Sequence, residues 1–222
     1  MLFRSGFPAG SVAVHDGTAA FASRGLVLSF FGKSSHASQP ENGHNPARAI
    51  SKLIIDIPEL TAREDHRGIV MATVVCVRIG EEAFGTNAGF GQLMLTIRAE
   101  FESELDALDA EICARARAYA RQDGITNVEV QYRDSFPETR NTPDAVAAVR
   151  KARLECGLPE ARWDEPFRSS EDFGCYTKLT SGALFYIGCG TRHAKLHTRE
   201  YDFNDEIIEP AVDMMFRLAQ DA

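Results

Sequence analysis

Three stretches of the chain contain side chains that could carry out chemistry. In the first, residues 32–46, the order is Gly-Lys-Ser-Ser-His-Ala-Ser-Gln-Pro-Glu-Asn-Gly-His-Asn-Pro, so that small residues flank His36. Such a loop can present an imidazole to a developing oxyanion as a hydrogen-bond donor, in either its neutral or its charged form. The alternative is a surface histidine in a turn.

The second stretch, residues 188–198, contains Cys189, His193 and His197. Carboxylates follow directly, at Glu200, Asp202, Asp205 and Glu206. Neutral imidazole with nearby carboxylates is a typical ligand set for zinc or manganese, so composition allows one metal ligand here as well as a solvated loop. A structural zinc site is a further alternative, in which Cys175 or a carboxylate joins Cys189 and the two histidines as the fourth ligand.

The third stretch, residues 169–174, reads Ser-Ser-Glu-Asp-Phe-Gly. It is typical of a helix start, with Glu171 and Asp172 next to the positive end of the helix dipole. Capping is one role for these carboxylates. The other is to support a metal ligand from a position beside it.

The elements that position the first stretch follow a β-α-β-β-α-β order. Strand patterns occur at 25–31, 69–79, 92–101 and 128–132, and helix patterns at 45–57 and 103–124. The first helix is predicted to end at Pro58, because proline interrupts helical hydrogen bonding. This order predicts an α+β, ferredoxin-like domain, in which two helices cover one face of an antiparallel sheet and leave the other face for a partner or solvent.

The C-terminal part shows a different pattern. Helices are predicted at 142–157 and 205–218, although Pro210 fits the second one poorly unless it lies in the first turn, and residues 184–187 form one convincing strand. A single strand leaves its backbone groups without partners. We therefore expect residues 136–222 to lack part of their sheet and to expose apolar surface.

Composition excludes several classes of protein. The 222 residues include 24 Lys+Arg and 32 Asp+Glu, and the resulting net charge of −8 disfavours binding to nucleic acid or to an anionic membrane. The five cysteines lie far apart, which is typical of reduced thiols, and no apolar run approaches the length of a membrane span. These features predict a cytoplasmic protein.

Taken together, the motifs resemble the M20 metallopeptidase family, and within it the amidohydrolase branch of hippurate hydrolases, N-acyl-amino-acid amidohydrolases and plant auxin-conjugate hydrolases. Residues that carry the resemblance are 32–46, Asn87, the strand end 95–98, the Ser-Glu-Asp-Phe-Gly of 170–174, and 196–205. They occur in the family's order over nearly the whole chain.

The resemblance implies a role for each part of the chain. Residues 1–22 correspond to the end of a catalytic-domain segment, 23–135 to a lid or dimerisation domain, and 136–222 to the C-terminal part of the catalytic domain. Family members hydrolyse an amide bond with a pair of divalent metals, zinc or manganese, and act on N-acyl amino acids or small peptides.

The same resemblance assigns individual residues. His36 matches the lid histidine that stabilises the oxyanion, often across a homodimer, and Asn87 matches a residue that holds the polar end of the substrate. His197 matches the last metal ligand. Arg98 lies in the corresponding strand and receives no role.

One departure from the family pattern concerns the other ligands. In the family a His-x-Asp or Cys-x-His pair, a bridging acid and a Glu-Glu pair with the general base precede the lid domain, and none occurs in residues 1–22. A catalytic zinc normally needs about three protein ligands. We therefore expect the C-terminal portion of an amidohydrolase that is inactive alone. The alternative is a noncatalytic dimerisation module derived from that family.

Overall fold

The computed structural model describes residues 1–192 and 198–220. The chain divides into a terminal unit, Met1–Phe21 with Glu138–Ala222, and a central unit, Ala22–Pro137. The sequence boundaries at 22 and 135 lie beside these junctions. The strands are β1 (Leu2–Ser5), β2 (Val12–Val14), β3 (Gly17–Ala20), β4 (Ala22–Phe31), β5 (Ser35–His36), β6 (Val70–Ile79), β7 (Thr86–Asn87), β8 (Phe90–Ala99), β9 (Asn127–Phe136), β10 (Thr139–Asn141) and β11 (Phe185–Gly190). The α-helices are α1 (Ala47–Thr61), α2 (Glu102–Gln122), α3 (Pro143–Glu155), α4 (Gly174–Thr177) and α5 (Ile208–Gln220), with 3-10 turns at Pro40–Asn42 and Asp205–Ile207.

The central unit contains a four-stranded sheet in the order β6-β8-β4-β9, and all neighbouring strands are antiparallel. The predicted β-α-β-β-α-β order is observed, with the additional short strands β5 and β7 in its connections. In β8, Leu93, Leu95 and Ile97 are buried, while the residues between them are half-buried. This period of two is the reason why the strand was visible in the sequence.

Helices α1 and α2 share one core with this sheet. Leu53 and Ile57 of α1, together with Leu105 of α2, join a buried cluster that includes Leu26 and Leu95 of the strands. Burial of these large side chains, each worth about 1.5–3 kcal/mol of transfer free energy, holds the helices on the sheet.

Pro58 does not end the first helix. Helix α1 continues through it to Thr61, although Pro58 has no N–H for the carbonyl four residues earlier. Leu60, which is 1% exposed, packs in the core, and the Ala62 N–H donates to the Pro58 carbonyl at 3.1 Å. The prediction was wrong because tertiary burial of the last turn outweighs one missing hydrogen bond.

The strand partners of the terminal unit come from residues 1–21. Strand β11 lies between β1, to which it is parallel, and β2, to which it is antiparallel, and β3 pairs with β10. The expectation that β11 lacks partners within the chain was therefore wrong. Strands of three or four residues, such as β2 and β3, are too short to show a hydrophobic period.

Helices α3 and α5 pack on the three-stranded sheet β1-β11-β2 of the terminal unit. Val149, Ala211 and Met214 are buried with Phe185 and Ile187 of β11. Helix α5 begins at Ile208 and not at 205, so that Pro210 lies in the first turn, where an N–H would have no helical partner. In residues 1–192 and 198–220 no helix combines the length and the apolar character that a bilayer crossing requires.

The opposite side of α5 exposes apolar side chains. Ile208, Val212, Met215 and Phe216 are between 47% and 64% exposed, and they recur at helical spacing. Together with Met1 and Phe3 they line an apolar groove of about 450 Å³. Exposed apolar surface was expected for this part of the chain.

The core of the central unit provides a stability prediction with a matched control. Ile50 is fully buried and Ile55 is 75% exposed on the same helix. Ile50→Ala should lower the free energy of unfolding by about 2–5 kcal/mol, because it leaves a cavity. Ile55→Ala should change it by less than about 0.5 kcal/mol. Urea unfolding, monitored by hydrogen exchange of the β4 and β8 amides, measures the change in the free energy of unfolding for both substitutions. Equal changes would contradict this assignment of the core.

Candidate functional site

His36 lies in a short ladder between two loops of the central unit. Strand β5 pairs with β7 so that Ser35 is opposite Asn87 and His36 is opposite Thr86. The stretch around His36 was predicted as a loop, and this two-residue strand corrects that prediction. The structure thus places Asn87 beside the His36 segment, although about 50 residues of chain separate them.

Hydrogen bonds of the Asn87 side chain hold this ladder together. Its Nδ2 donates to Ser35 Oγ at 3.0 Å, and its Oδ1 accepts from Asn45 Nδ2 at 2.7 Å. Asn45 Oδ1 in turn accepts from the N–H of Ala47, the first residue of α1, at 2.9 Å. The side-chain amides of Asn45 and Asn87 therefore connect the helix, the His36 loop and the β7 loop. Asn45 was predicted only as the first residue of the helix pattern 45–57, and its bond to Asn87 has no sequence signal.

Space in this loop is tight enough to require glycine at position 43. A Cβ atom on Gly43 would lie 2.7 Å from both Asn87 Nδ2 and Ser35 Oγ, which is closer than real Cβ contacts. Any side chain there would push the two polar groups apart. The close approach of the backbone is thus part of how the loop keeps its shape.

The His36 ring is exposed and is held at one edge by Ser38. Ser38 Oγ lies 2.7 Å from Nδ1, and the Ser38 N–H donates to the same nitrogen at 3.1 Å. These contacts leave Nε2 accessible. The ring is therefore oriented by its own loop before any ligand binds.

A cavity of about 440 Å³ lies beside this network. Its lining residues are Ser34, Asn45, Ile79, Gly80, Glu81, Ala83, Thr86, Ala88, Gly89 and Phe90. The lining combines polar groups from Ser34, Asn45 and Glu81 with apolar side chains such as Ile79 and Phe90. A volume of this size can hold a small organic molecule that has both polar and apolar parts.

Glu171 and Asp172 lie in the terminal unit, before the four-residue helix α4. The Asp172 carbonyl accepts from the Cys175 N–H, so the predicted helix start is present but the helix is short. Burial, and secondarily the charge of Asp172, raises the pKa of Glu171, while Arg4 opposes the shift.

A buried tyrosine, Tyr186, interacts with Glu171 and Arg4. Tyr186 is 1% exposed, its hydroxyl has no partner in the described part of the chain, and burial, with a contribution from Glu171, raises its pKa to about 12. Arg4 lies over the Phe167 ring at 3.6 Å and near Tyr186. Glu171, Arg4 and Tyr186 thus form a partly desolvated group of polar side chains.

The predicted metal ligand His197, like His193, lies outside the described residues. Across residues 1–192 and 198–220, no group of three His, Cys, Asp or Glu side chains is close enough to hold a metal ion. Cys189 is buried in the core of the terminal unit, and burial raises the pKa of its thiol, which disfavours the thiolate that zinc would need. The described residues do not form a metal site by themselves.

Glu171 provides a prediction about pH. Its pKa is raised in the folded state, so its contribution to stability is present below the unfolded-state pKa and is lost as the pH rises through the folded-state pKa. Glu171→Gln cannot ionise. The free energy of unfolding of the Glu171→Gln variant, relative to that of the unchanged chain, should therefore increase as the pH rises above about 4.5 and then level off.

Urea titrations between pH 4 and 8 measure this difference. Glu165→Gln, at an exposed position, serves as the control and should change stability by less than about 0.5 kcal/mol throughout. A Glu171→Gln difference that stays constant with pH would contradict a desolvated carboxylate at this position.

The chain is similar in sequence to several known proteins. The chain is 26% identical over 216 residues to the N-acetyldiaminopimelate deacetylase of Bacillus licheniformis, a match that covers 94% of this chain and 55% of the relative. It is 22% identical over 195 residues to the hippurate hydrolase of Campylobacter jejuni, covering 86% and 50%. The chain thus spans about half the length of the curated relatives it matches.

Solved structures share the fold at lower identity. A structure from methicillin-resistant Staphylococcus aureus has a TM-score of 0.86 at 19% identity and covers 99% of this chain, which spans 57% of that one. The Bacillus subtilis YXEP protein, described as a dinuclear metal-binding peptidase of the M20 family, has a TM-score of 0.76 at 16% identity, with 98% and 54% covered. The model of peptidase family M20/M25/M40 matches residues 17–221. Because this match extends over nearly the whole sequence, the chain belongs to peptidase family M20/M25/M40.

Proposed function

We propose that this chain takes part in metal-dependent hydrolysis of the amide bond of N-acyl amino acids or small peptides. The observation that carries the proposal is the oriented, accessible His36 ring, in a chain that the M20 model matches over residues 17–221. Two curated relatives support the substrate class. Hippurate is N-benzoylglycine, and N-acetyldiaminopimelate is also an N-acylated amino acid.

In this proposal His36 acts on the charge that develops during amide hydrolysis. Attack on the carbonyl carbon places negative charge on the carbonyl oxygen, and an oriented N–H donor stabilises it. His36 is accessible at Nε2 and fixed at Nδ1, so its loop supplies such a donor without reorganisation. We propose that it acts in a neighbouring subunit.

Both ends of the Asn87 side-chain amide already have hydrogen-bond partners within the central unit. Its Oδ1 accepts from Asn45, and its Nδ2 donates to Ser35 and approaches the Pro40 carbonyl at 3.4 Å. We propose that Asn87 meets the polar end of the substrate while it holds the β5–β7 ladder. The cavity beside it provides room for the substrate.

The metal part of the proposal depends on His197. By resemblance His197 is one metal ligand, and Glu171 and Asp172 support the site from positions beside it. A divalent metal, zinc or manganese, supplies an activated water when bound. Because the described residues do not form a site alone, we propose that further ligands and the general base come from polypeptide outside them.

Exposed apolar surface on the terminal unit supports the proposal that further polypeptide completes the catalytic domain. The exposed side of α5, with Phe216 64% exposed, continues to Met1 and to Phe3 of β1, which is an edge strand of its sheet. Soluble monomers rarely leave such a contiguous apolar surface uncovered. We propose that the remaining part of the catalytic domain covers it.

The central unit fits the role of a lid that forms a homodimer. Its sheet order and two helices match the ferredoxin-like pattern, and we propose this classification for it. Edge strand β6 exposes Val75 and Val77, at 63% and 40%. An edge strand with exposed apolar residues favours pairing with another copy. Nucleic acid and membranes are not proposed as partners, and a cytoplasmic location remains a prediction.

The second candidate is a noncatalytic dimerising module. The observation that favours it is the lack of a three-ligand group in the described ranges 1–192 and 198–220. It shares the lid and the dimer with the first proposal. Only turnover separates the two.

Turnover of N-acetyl and N-benzoyl amino acids with added manganese or zinc tests the first proposal. The purified chain alone should show none, because its site is incomplete. Co-expression with the catalytic-domain segment of a family member that carries the His-x-Asp and Glu-Glu motifs should give turnover. His36→Ala should then lower kcat by about 10²–10³, the usual effect of removing one oxyanion donor.

The control is His44→Ala, a second histidine of the same loop, which should leave kcat within a factor of about three. Turnover by the chain alone, at an ordinary kcat of about 1–10³ s⁻¹, would contradict the incomplete site. A co-expressed complex that shows no turnover would favour the noncatalytic module.

Light scattering tests the homodimer. The chain should be a dimer at micromolar concentration, and Val75→Lys should shift it toward monomer because the new charge would be desolvated at the interface. Leu154→Lys, at an equally exposed position in the terminal unit, is the control and should leave the dimer intact. A strict monomer, or a dimer that only Leu154→Lys disrupts, would contradict an interface at β6.

A further inference from the structure

The backbone around His36 forms a tight turn that reaches back to its own ring. The Gln39 N–H donates to the His36 carbonyl at 2.9 Å, which closes a four-residue turn. The Ala37 N–H donates to the Gly85 carbonyl, also at 2.9 Å, and anchors the turn to the opposite loop. Ser38, the third residue of the turn, thereby has its N–H directed at His36 Nδ1, at 3.1 Å.

This contact determines which ring nitrogen carries the proton. A backbone N–H can only donate, so the nitrogen that receives it must have its lone pair free. In a neutral imidazole one nitrogen is the acceptor and the other is the donor. Since Nδ1 of His36 accepts from Ser38, the proton of the neutral ring is on Nε2.

The hydroxyl of Ser38 adds a second contact to the same nitrogen, at 2.7 Å. A hydroxyl can donate or accept, so it adapts to either tautomer and does not select between them. The backbone N–H does select, because a proton on Nδ1 would face it and break the bond. The two groups have different functions, although they belong to one residue.

We infer that Ser38 is a positioning residue, which holds the neutral His36 ring as the Nε2–H tautomer. The accessible nitrogen then carries a donor, as an oxyanion requires, and the ring needs no proton shift before it acts. The importance of this tautomer for catalysis rests on the proposed function. The tautomer itself is a property of this turn and is measurable without turnover.

Nitrogen NMR of the ¹⁵N-labelled full chain tests the inference directly, at a pH where the His36 ring is neutral. Nδ1 should show a pyridine-type shift and Nε2 a pyrrole-type shift. A scalar coupling across the hydrogen bond should connect the Ser38 amide nitrogen to Nδ1. A pyrrole-type Nδ1, or averaged shifts from two comparable tautomers with no coupling, would overturn the inference.

Two substitutions separate the backbone donor from the hydroxyl. Ser38→Ala keeps the N–H, so the coupling should persist and the tautomer ratio should change by less than twofold. Ser38→Pro removes the N–H, and the ratio of Nε2–H to Nδ1–H should fall about fivefold, the factor for one hydrogen bond of about 1 kcal/mol. Ser34→Ala, in the same loop, is the control and should leave the ring signals unchanged.

These outcomes distinguish the inference from the proposed function. If Ser38→Pro distorts the turn, the shifts and the coupling of the unchanged chain still decide the tautomer. An unchanged tautomer ratio in Ser38→Pro, with the ladder amides of Ser35 and Asn87 intact, would overturn the role of Ser38. Failure of the turnover assay with the tautomer present would count against the proposed function alone.

Discussion

The His36 site depends on the hydrogen bonds that the side-chain amide of Asn87 makes. It connects β7 to Ser35 and to Asn45, and through Asn45 to the first turn of α1. Ordering one residue of a loop costs about 1–2 kcal/mol of conformational entropy, while a single hydrogen bond contributes about 0.5–1.5 kcal/mol. A loop of this length is therefore stable only with many such bonds at once.

Backbone bonds supply the remainder of that stability. The Lys33 and His44 main chains donate to each other's carbonyls at 3.1 and 2.8 Å, and the Gly32 N–H donates to the Gly89 carbonyl at 2.7 Å. Helix α1, held by its buried side chains, gives the loop a rigid end. The position of His36 is thus the result of a packed helix, a central strand and a second loop acting together.

The terminal unit shows how small sheets can form from distant parts of a chain. Three short strands from residues 1–21 provide the partners of β10 in one sheet and of β11 in another. One side of α5 packs against the sheet of β11 through Ala211 and Met214, and the other side remains exposed. A helix with two apolar sides is typical of the interior of a larger layer, which supports the proposal that more of the catalytic domain packs there.

The sequence by itself determined the long elements and the family, because periodicity and local motifs are properties of neighbouring residues. Helix α2 and strand β8 were both predicted this way. Only the tertiary structure decided the rest. It extended α1 beyond Pro58, paired β11 with β1 and β2, and placed Asn45 and Asn87 in contact. These features depend on burial and hydrogen bonds between residues far apart in the chain, for which no local pattern exists.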